Sequence, residues 1–544
     1  VKTTLLAVFA LALLALVFVA DHDAWTPDEP RVVALASSVA HGSWVQPRLN
    51  GEPFLEQPSF HAWSVALAYR AFGETVTVAR AVSVLYSVLT LLVTYLLGAR
   101  LGSDRTGVLA ALLLGTSFLF FNAEHRVTTD PPLAFFVAGS GYASLRALMA
   151  ESSKERVLAL LLAYAGASLA YLSKGLVGVG LSGFAFLACA AALRDPRALL
   201  RGHLWLAPVV FAAVTASYHV QLWRELGQDA LRTVSYGQSL ERMGTDSQHH
   251  QNVLYYLWSF PLNFLPTTLF FAGALRFFFA EREKLEAKAR LGWEMPLAWF
   301  ALGFVALSFA HSKREVYVLA LLPAASVPSA LWLEAVLDGR DRSLLAWLVP
   351  IALAVTLLPL GLALPAAALY LKQPLLLAVL GGLLAALASV ASLVALRKGR
   401  LGEGLALVLG GALALVVGAD LVLVPWGDAE KGLGPVIREA VARIPRDRAV
   451  YVLLPDETVL GAVPFYAGRD VAPIPTGLGT AKPLEEEKLL LAAHLHGERD
   501  LWALAVEKRA EPVVFESVAA FKPEVVGEWP GVRTVRLLHF RAEK

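Results

Sequence analysis

Residues 374–396, PLLLAVLGGLLAALASVASLVAL, run for 23 positions without a charged side chain, with Lys372 before them and Arg397 and Lys398 after. About 20 consecutive apolar residues are what a helix needs to cross the hydrocarbon core of a bilayer. The same pattern recurs outward from this stretch. Apolar runs at 4–20, 76–98, 107–122, 131–149, 157–173, 175–193, 203–222, 253–279, 294–310, 315–337, 343–364 and 404–425 bring the number of expected spans to thirteen. The neighbouring runs 157–173 and 175–193 also fit broken or tilted helices, so twelve or fourteen spans fit as well. The run 4–20 also reads as a signal peptide cleaved after Val19-Ala20, although its apolar stretch is long for one.

The composition agrees with many spans. Of 544 residues, 57% are hydrophobic and 17% charged, with a mean hydropathy of +0.58. Ordinary soluble proteins carry roughly 25% charged residues, and a core grows too slowly with chain length to hide this much apolar surface. A disulfide scaffold, a disordered chain and a cytosolic enzyme are therefore poor fits. The net charge of +2 argues against nucleic acid as a partner. Cys189 is the single cysteine, so no intrachain disulfide forms. What remains is a polytopic α-helical membrane protein.

The loop charges orient it. With Lys2 on the cytoplasmic side, the loops on that side hold Arg100 and Arg105, Arg146, Lys154 and Arg156, then Arg194, Arg197 and Arg201. Further along they hold Arg282, Lys284, Lys288 and Arg290, then Arg340 and Arg342, and finally Arg397, Lys398 and Arg400. Every short loop there is basic, as the positive-inside rule requires. Two long loops, 21–75 and 223–252, fall on the external face, and an odd number of spans puts the C-terminal tail there too. We divide the chain into a membrane domain, 1–426, and an external α/β domain, 427–544. Within the second, 433–443 has helical periodicity, and 448–454, 501–506 and 533–540 read as strands. No glycine-rich phosphate loop occurs in this tail, and no internal repeat of the transporter kind occurs in the chain.

Six short segments carry the polar chemistry. The first external loop opens with four carboxylates in Asp21-His-Asp-Ala-Trp-Thr-Pro-Asp28-Glu29-Pro-Arg31. Thr26 and Glu29 have capping-box spacing with Pro27 at the first helical position, and Glu29 as N-cap before Pro30 is the alternative frame. Either frame predicts a juxtamembrane helix to about His41, stopped by Gly42. Val32, Val33, Leu35, Ala36 and Val39 suggest that it lies on the membrane surface. Asp28 and Arg31 then share a face. A solvated capping cluster is the plain reading of these acids.

Glu56-Gln57-Pro58 follows in a polar turn before an aromatic-rich segment, where a lone glutamate is usually just solvated. Asp130 precedes Pro131 at the external mouth of the fourth span, as an N-cap or as a functional carboxylate near the membrane surface. Lys174 interrupts an apolar stretch, where it either snorkels or serves a site. Asp246-Ser-Gln-His249-His250 is weak as a metal motif on its own, since the histidines are adjacent rather than one helical turn apart. His311-Ser-Lys313-Arg314-Glu315-Val-Tyr317 puts two cations into a short external loop, against the positive-inside bias. An anionic headgroup or a phosphate is their natural partner. All six segments map to one membrane face. They combine carboxylates suited to base chemistry with cations suited to a phosphate, as transfer of a group from a lipid phosphate requires.

In order, these motifs resemble the polyprenyl-phosphate-dependent glycosyltransferases of the GT-C superfamily. They are most similar to the lipid A aminoarabinose transferases and the protein-mannosyltransferase-like membrane family. The likeness rests on Trp25 through Arg31, Glu56-Gln57-Pro58, Thr129-Asp130-Pro131, Ser173-Lys174-Gly175, Asp246 through His249, and Lys313 through Tyr317, across roughly residues 20–335. The resemblance implies the GT-C fold, with external juxtamembrane helices. It also implies inverting transfer of a sugar from a polyprenyl phosphate to a hydroxyl on a lipid, glycan or protein. Lipid A modification is the narrower form of that activity. The setting it implies is the bacterial inner membrane, with the active site facing the periplasm.

By position, the resemblance makes Asp28 the leading catalytic carboxylate, with Glu29 beside it and Asp130 a second acid. Arg31, Lys174, Lys313, Arg314, Tyr317 and Gln57 become donor and phosphate contacts. It implies no required cofactor, and a structural divalent ion such as zinc at Glu56 and His249. One position departs from the family pattern: Gln57 stands where the aminoarabinose transferases typically have a lysine. Lys313, Arg314 or Arg126 are the cations left to replace that charge. The rival reading is a transporter or lipid flippase. It accounts for the spans and gives the acid-rich external loops no task, and the spans hold no chain of acids for a proton-driven pump.

Overall fold

The computed structural model describes residues 22–195, 197–237, 251–468, 471–474, 484–497, 500–508 and 513–541. The expected span 4–20 and the segment Asp246–His250 lie outside them. The protein is a multi-pass membrane protein, and its compact units do not follow chain order. One unit gathers Leu55–His61 and Arg80–Val422, and the other joins the first external loop up to Phe54, Ala62–Ala79 and the chain from Leu423 onward.

Every expected run from 76 onward lies on a helix or a bent helix pair. Among the described residues eight helices are long and apolar enough to cross a membrane, and ten if each of two bent pairs counts as one span. The expected thirteen include the run 4–20, which these counts do not cover. Leu176–Ala192 is a shorter apolar helix, and the runs at 107–122 and 253–279 fold as helix pairs bent by 72° and 114°. An apolar run shows that a segment avoids water; it does not show that the segment is straight.

The first unit is packed by large side chains against small ones. Trp299 and Trp332 are fully buried. A methyl group on Gly273 would stand 2.5 Å from the Trp332 ring, so that contact requires glycine. Trp332 donates its indole N–H to Asp341 at 2.7 Å, which satisfies its polar end.

The second unit contains a five-stranded sheet built from β1 (Val450–Leu453), β2 (Val471–Ile474), β3 (Leu501–Lys508), β4 (Glu524–Trp529) and β5 (Arg533–Phe540), in the order β2-β1-β3-β5-β4. β1 runs parallel to β2 and β3, while β5 runs antiparallel to β3 and β4. All three expected strands appear, and the expected helix is Gly434–Ala442. Leu453, Leu491, Leu501, Ala503 and Leu538 form its core.

In the same unit the juxtamembrane helix runs Glu29–His41 and stops at Gly42, as expected. Its start corrects both capping frames: Asp28 is the N-cap and Glu29 the first helical residue. Its apolar stripe corrects the expectation of a helix lying on lipid, because Val32, Val33, Leu35, Ala36 and Val39 are buried in protein. Leu35 packs with Leu49, Phe54 and Leu460, and Val39 with Ala62 and Ala66.

Candidate active site

The expected site residues fall in both units. In the first, the helix Asp130–Leu148 begins with Asp130 itself, and Thr129 is its N-cap. Asp130 is therefore not the cap that its place before Pro131 suggested. The helix Ser153–Lys174 ends on Lys174, where Gly175 turns the chain at φ 74°. These two helix termini meet: the Lys174 ammonium donates to the Asp130 carboxylate, with side chains 9% and 7% exposed. A buried charge is tolerated when it is paired, so Lys174 is held by Asp130 rather than snorkelling to water.

The ammonium also sits 4.6 Å from the centre of the Tyr317 ring, a cation–π contact. Tyr317 lies in the 3-10 helix Glu315–Leu321. On the preceding turn, Thr129 Oγ1 is 3.5 Å from Gln57 Oε1. Asp130, Lys174, Tyr317 and Gln57, chosen for their chemistry from distant parts of the sequence, thus gather in one region. Lys174 and Tyr317 are among the residues lining a cavity of about 240 Å³, whose other walls are mainly Leu133, Leu176, Val177, Leu181, Phe184 and Leu307. A cation in the wall of an otherwise apolar cavity suits a ligand with an anionic head and a hydrocarbon tail.

Lys313 and Arg314 behave differently. Lys313 is 3% exposed and donates to the carbonyls of Gln251, at 2.8 Å, and Ala310. Burial holds its pKa below the usual lysine value. Its charge organises the loop before the 3-10 helix. The Arg314 carbonyl accepts the Tyr256 hydroxyl at 3.1 Å, while Tyr255 donates to Glu315 at 2.5 Å.

In the second unit, Asp28 and Arg31 do share a face, with Arg31 Nη2 3.6 Å from Asp28 Oδ1. The other guanidinium nitrogen donates to Glu457, and the group stacks 5.4 Å from the Phe54 ring centre. Glu29 is 2% exposed and accepts the Trp25 backbone N–H at 2.8 Å. That bond braces the turn leading into the helix. Glu457 escaped the sequence reading because a single acid in a mixed tail carries no pattern. Its neighbour Asp456 is the N-cap of the helix Glu457–Ala467 and accepts the Val459 N–H at 3.0 Å.

For the implied metal, Glu56 lies in the described loop and His249 outside it. Among the described residues no group of three or more His, Cys, Asp or Glu side chains is arranged to hold an ion.

The comparisons with known proteins point one way. The family model described as dolichyl-phosphate-mannose-protein mannosyltransferase matches residues 56–220. An undecaprenyl phosphate-alpha-4-amino-4-deoxy-L-arabinose arabinosyl transferase of Pseudomonas aeruginosa is 29% identical over 329 residues, 60% of this chain and 58% of that protein. The enzyme of the same name from Pectobacterium carotovorum is 26% identical over 69% of this chain and 67% of its own. Among solved structures, ArnT from Cupriavidus metallidurans bound to undecaprenyl phosphate superposes with a TM-score of 0.78 at 20% identity, over 99% of both chains. This chain has the GT-C fold. A second GT-C neighbour, the Archaeoglobus fulgidus oligosaccharyltransferase, matches at a TM-score of 0.50 and 13% identity, over 93% of this chain and 69% of its own. The GT-C fold thus accounts for the helical unit, and a small C-terminal sheet domain is present beside it in the sequence.

Proposed function

We propose that this chain moves a sugar from a polyprenyl-phosphate donor to a hydroxyl acceptor at the external face of the membrane, with inversion at the sugar carbon. In a bacterial inner membrane that face is the periplasmic one. The observation that carries the reading is the Lys174–Tyr317 pair in the wall of an otherwise apolar cavity, which suits a phosphate carried on a hydrocarbon tail. The similarity to undecaprenyl-phosphate aminoarabinose transferases supports the same donor class. An aminoarabinose-like sugar moved to lipid A is the narrower form; a glycan or protein hydroxyl is an equally suitable acceptor chemically.

As the sugar–oxygen bond breaks, negative charge grows on the departing phosphate. Cations fixed beforehand stabilise it without reorganising. Lys174 is assigned to that charge, with the Tyr317 hydroxyl orienting the phosphate. Lys313 and Arg314 shape the loop beside Tyr317, and Arg31 accompanies Asp28. Asp28 takes the proton from the acceptor hydroxyl as it attacks the opposite face of the sugar. Asp130 is the second acid and sets the position of Lys174, and Glu29 serves as a brace. A divalent ion, where one binds, has Glu56 as a ligand and a structural role.

The test is transfer of a labelled sugar from a polyprenyl-phosphate donor to envelope acceptors by the purified chain. The Asp28→Asn variant is expected to lose transfer while still binding the donor. Full activity in that variant would sink the base assignment.

A further inference from the structure

The helical unit has a second and larger cavity, of about 610 Å³. Its walls are the end of the helix Leu176–Ala192, the helix Thr267–Glu281 and one face of the helix Ala287–Phe309. On the last of these, Glu294, Leu297, Ala298, Ala301 and Val305 line it at the three- and four-residue steps of a single helical face. The two cavities share the helix Leu176–Ala192 but use different lengths of it. Leu176 through Phe184 line the first, and Ala191 and Ala192 the second.

The charge in this cavity is gathered in one place. Among the described residues that line it, Arg194 and Glu294 are the charged ones, and the Arg194 guanidinium donates to Glu294 at 2.5 Å. Glu294 is the first lining position on its helix and Val305 the last, eleven residues further on. At 1.5 Å per residue the apolar face beyond the ion pair is roughly 16 Å long. That is about half of a hydrocarbon core of roughly 30 Å, or one leaflet. Phe279 and Val305 line the cavity and are exposed, so it opens to the outside of the unit. A third charge stands beside it: the Arg282 guanidinium lies 5.9 Å from the centre of the Phe279 ring. The adjacent Glu281 is taken by Lys284 at 2.9 Å. Glu283 and Glu286 are exposed on the same loop, and among the described residues no carboxylate pairs with Arg282.

We propose that this cavity binds a phospholipid of single net negative charge. One acyl chain lies along the face from Leu297 to Val305, and the phosphodiester is held by Arg282 and Arg194. Two guanidinium groups and one carboxylate leave one positive charge, which one phosphodiester neutralises. A guanidinium fork matches phosphate oxygens through parallel N–H bonds, and Arg282 has no carboxylate to compete for it. A helix face that merely meets bulk lipid needs neither a hollow of this size nor a cation beside it. The site stands apart from sugar transfer and does not depend on it.

The experiment is native mass spectrometry of the full-length chain in detergent, titrated with dioleoyl phosphatidylglycerol or dioleoyl phosphatidylethanolamine. The two lipids share their chains and differ in net charge. Wild type is expected to bind the first phosphatidylglycerol about fivefold more tightly than phosphatidylethanolamine, as one cation near a headgroup provides. Arg282→Ala is expected to cut that preference to within about twofold, and Arg282→Lys to keep most of it. Ala301→Trp fills the trough and is expected to weaken both lipids at least fivefold. Adding Arg282→Ala to Ala301→Trp is then expected to change little more, because both act on one site. Arg282 and Ala301 are exposed, so neither change is expected to unfold the helical unit. Equal wild-type affinity for the two lipids overturns the inference. So does a preference that Arg282→Ala leaves intact, or wild-type binding by Ala301→Trp.

Discussion

Lys174 ends one helix and Asp130 begins another, and their side chains meet as an ion pair less than a tenth exposed. The pairing ties the two termini together, since each neutralises the charge of the other. Breaking a buried pair from one side costs about 3–5 kcal/mol because a bare charge is left behind, whereas removing both partners costs far less. Lys174→Met is therefore expected to lower the melting temperature sharply in detergent. The double variant Asp130→Asn/Lys174→Met is expected to recover most of that loss. The proposed chemistry predicts the opposite for transfer, which both variants lose. Additive effects on stability would show that the two groups are not coupled.

Tyr317 separates two contributions that one residue makes to the same site. Its ring faces Lys174 at 4.6 Å, and its hydroxyl is assigned to the phosphate. Tyr317→Phe keeps the cation–π contact and is expected to leave the melting temperature unchanged while raising the donor KM. Tyr317→Leu removes the ring as well and is expected to cost about 1–2 kcal/mol of stability in addition. Identical donor KM values in the wild type and Tyr317→Phe would remove the hydroxyl from donor binding.

His61 gives the first unit an acid-sensitive point. It is 1% exposed, and neither ring nitrogen has a hydrogen-bond partner among the described residues. Burial lowers its pKa from 6.5 to about 4. The unfolded chain then binds a proton at His61 below about pH 6.5 that the folded chain refuses. Stability contributed by the neutral ring is complete above pH 6.5 and falls as pH drops toward 4, by a total on the order of 3 kcal/mol. His61→Leu is expected to flatten the stability profile between pH 6.5 and 4. An unchanged slope in that variant would place the acid sensitivity elsewhere.

The membrane class was legible from the sequence because charge exclusion over 20 residues has few other causes. The bends were not: Leu265-Pro266 and Thr116-Ser117 look like ordinary punctuation, and only packing decides that a chain turns there by 114° or 72°. The residue types at Asp130, Lys174 and Tyr317 were legible because ionisable groups beside apolar runs are costly and stand out. Their pairing was not, since 44 positions separate Asp130 from Lys174. Lys313 was legible as unusual, but the backbone carbonyls that hold it are invisible in a sequence. The juxtamembrane helix shows the converse error. Its amphipathic pattern says only that one face is hidden, and that face is covered by Leu49, Phe54 and Leu460 rather than by lipid.

The contact between Asp23 and Tyr466 offers a test of how firmly the first loop is held that needs no substrate. The hydroxyl of Tyr466 donates to Asp23 and accepts the buried Ala24 N–H at 3.1 Å. Burial and the neighbouring carboxylate both raise the pKa of the phenol, so it stays protonated and able to donate across the whole usable pH range. Tyr466→Phe removes the hydroxyl with little change of shape, taking that partner from the Ala24 N–H and one donor from the Asp23 carboxylate. The expected cost is about 1–3 kcal/mol. Asp23→Asn keeps an acceptor for the Gly434 N–H and is expected to cost less. Because the two side chains share one bond, the double variant is expected to cost about as much as Tyr466→Phe alone, a coupling of about 1 kcal/mol. Exchange of the Ala24 amide should rise in step with the loss. A double variant equal to the sum of the singles, with Ala24 exchange unmoved, would show that this bond does not anchor the loop.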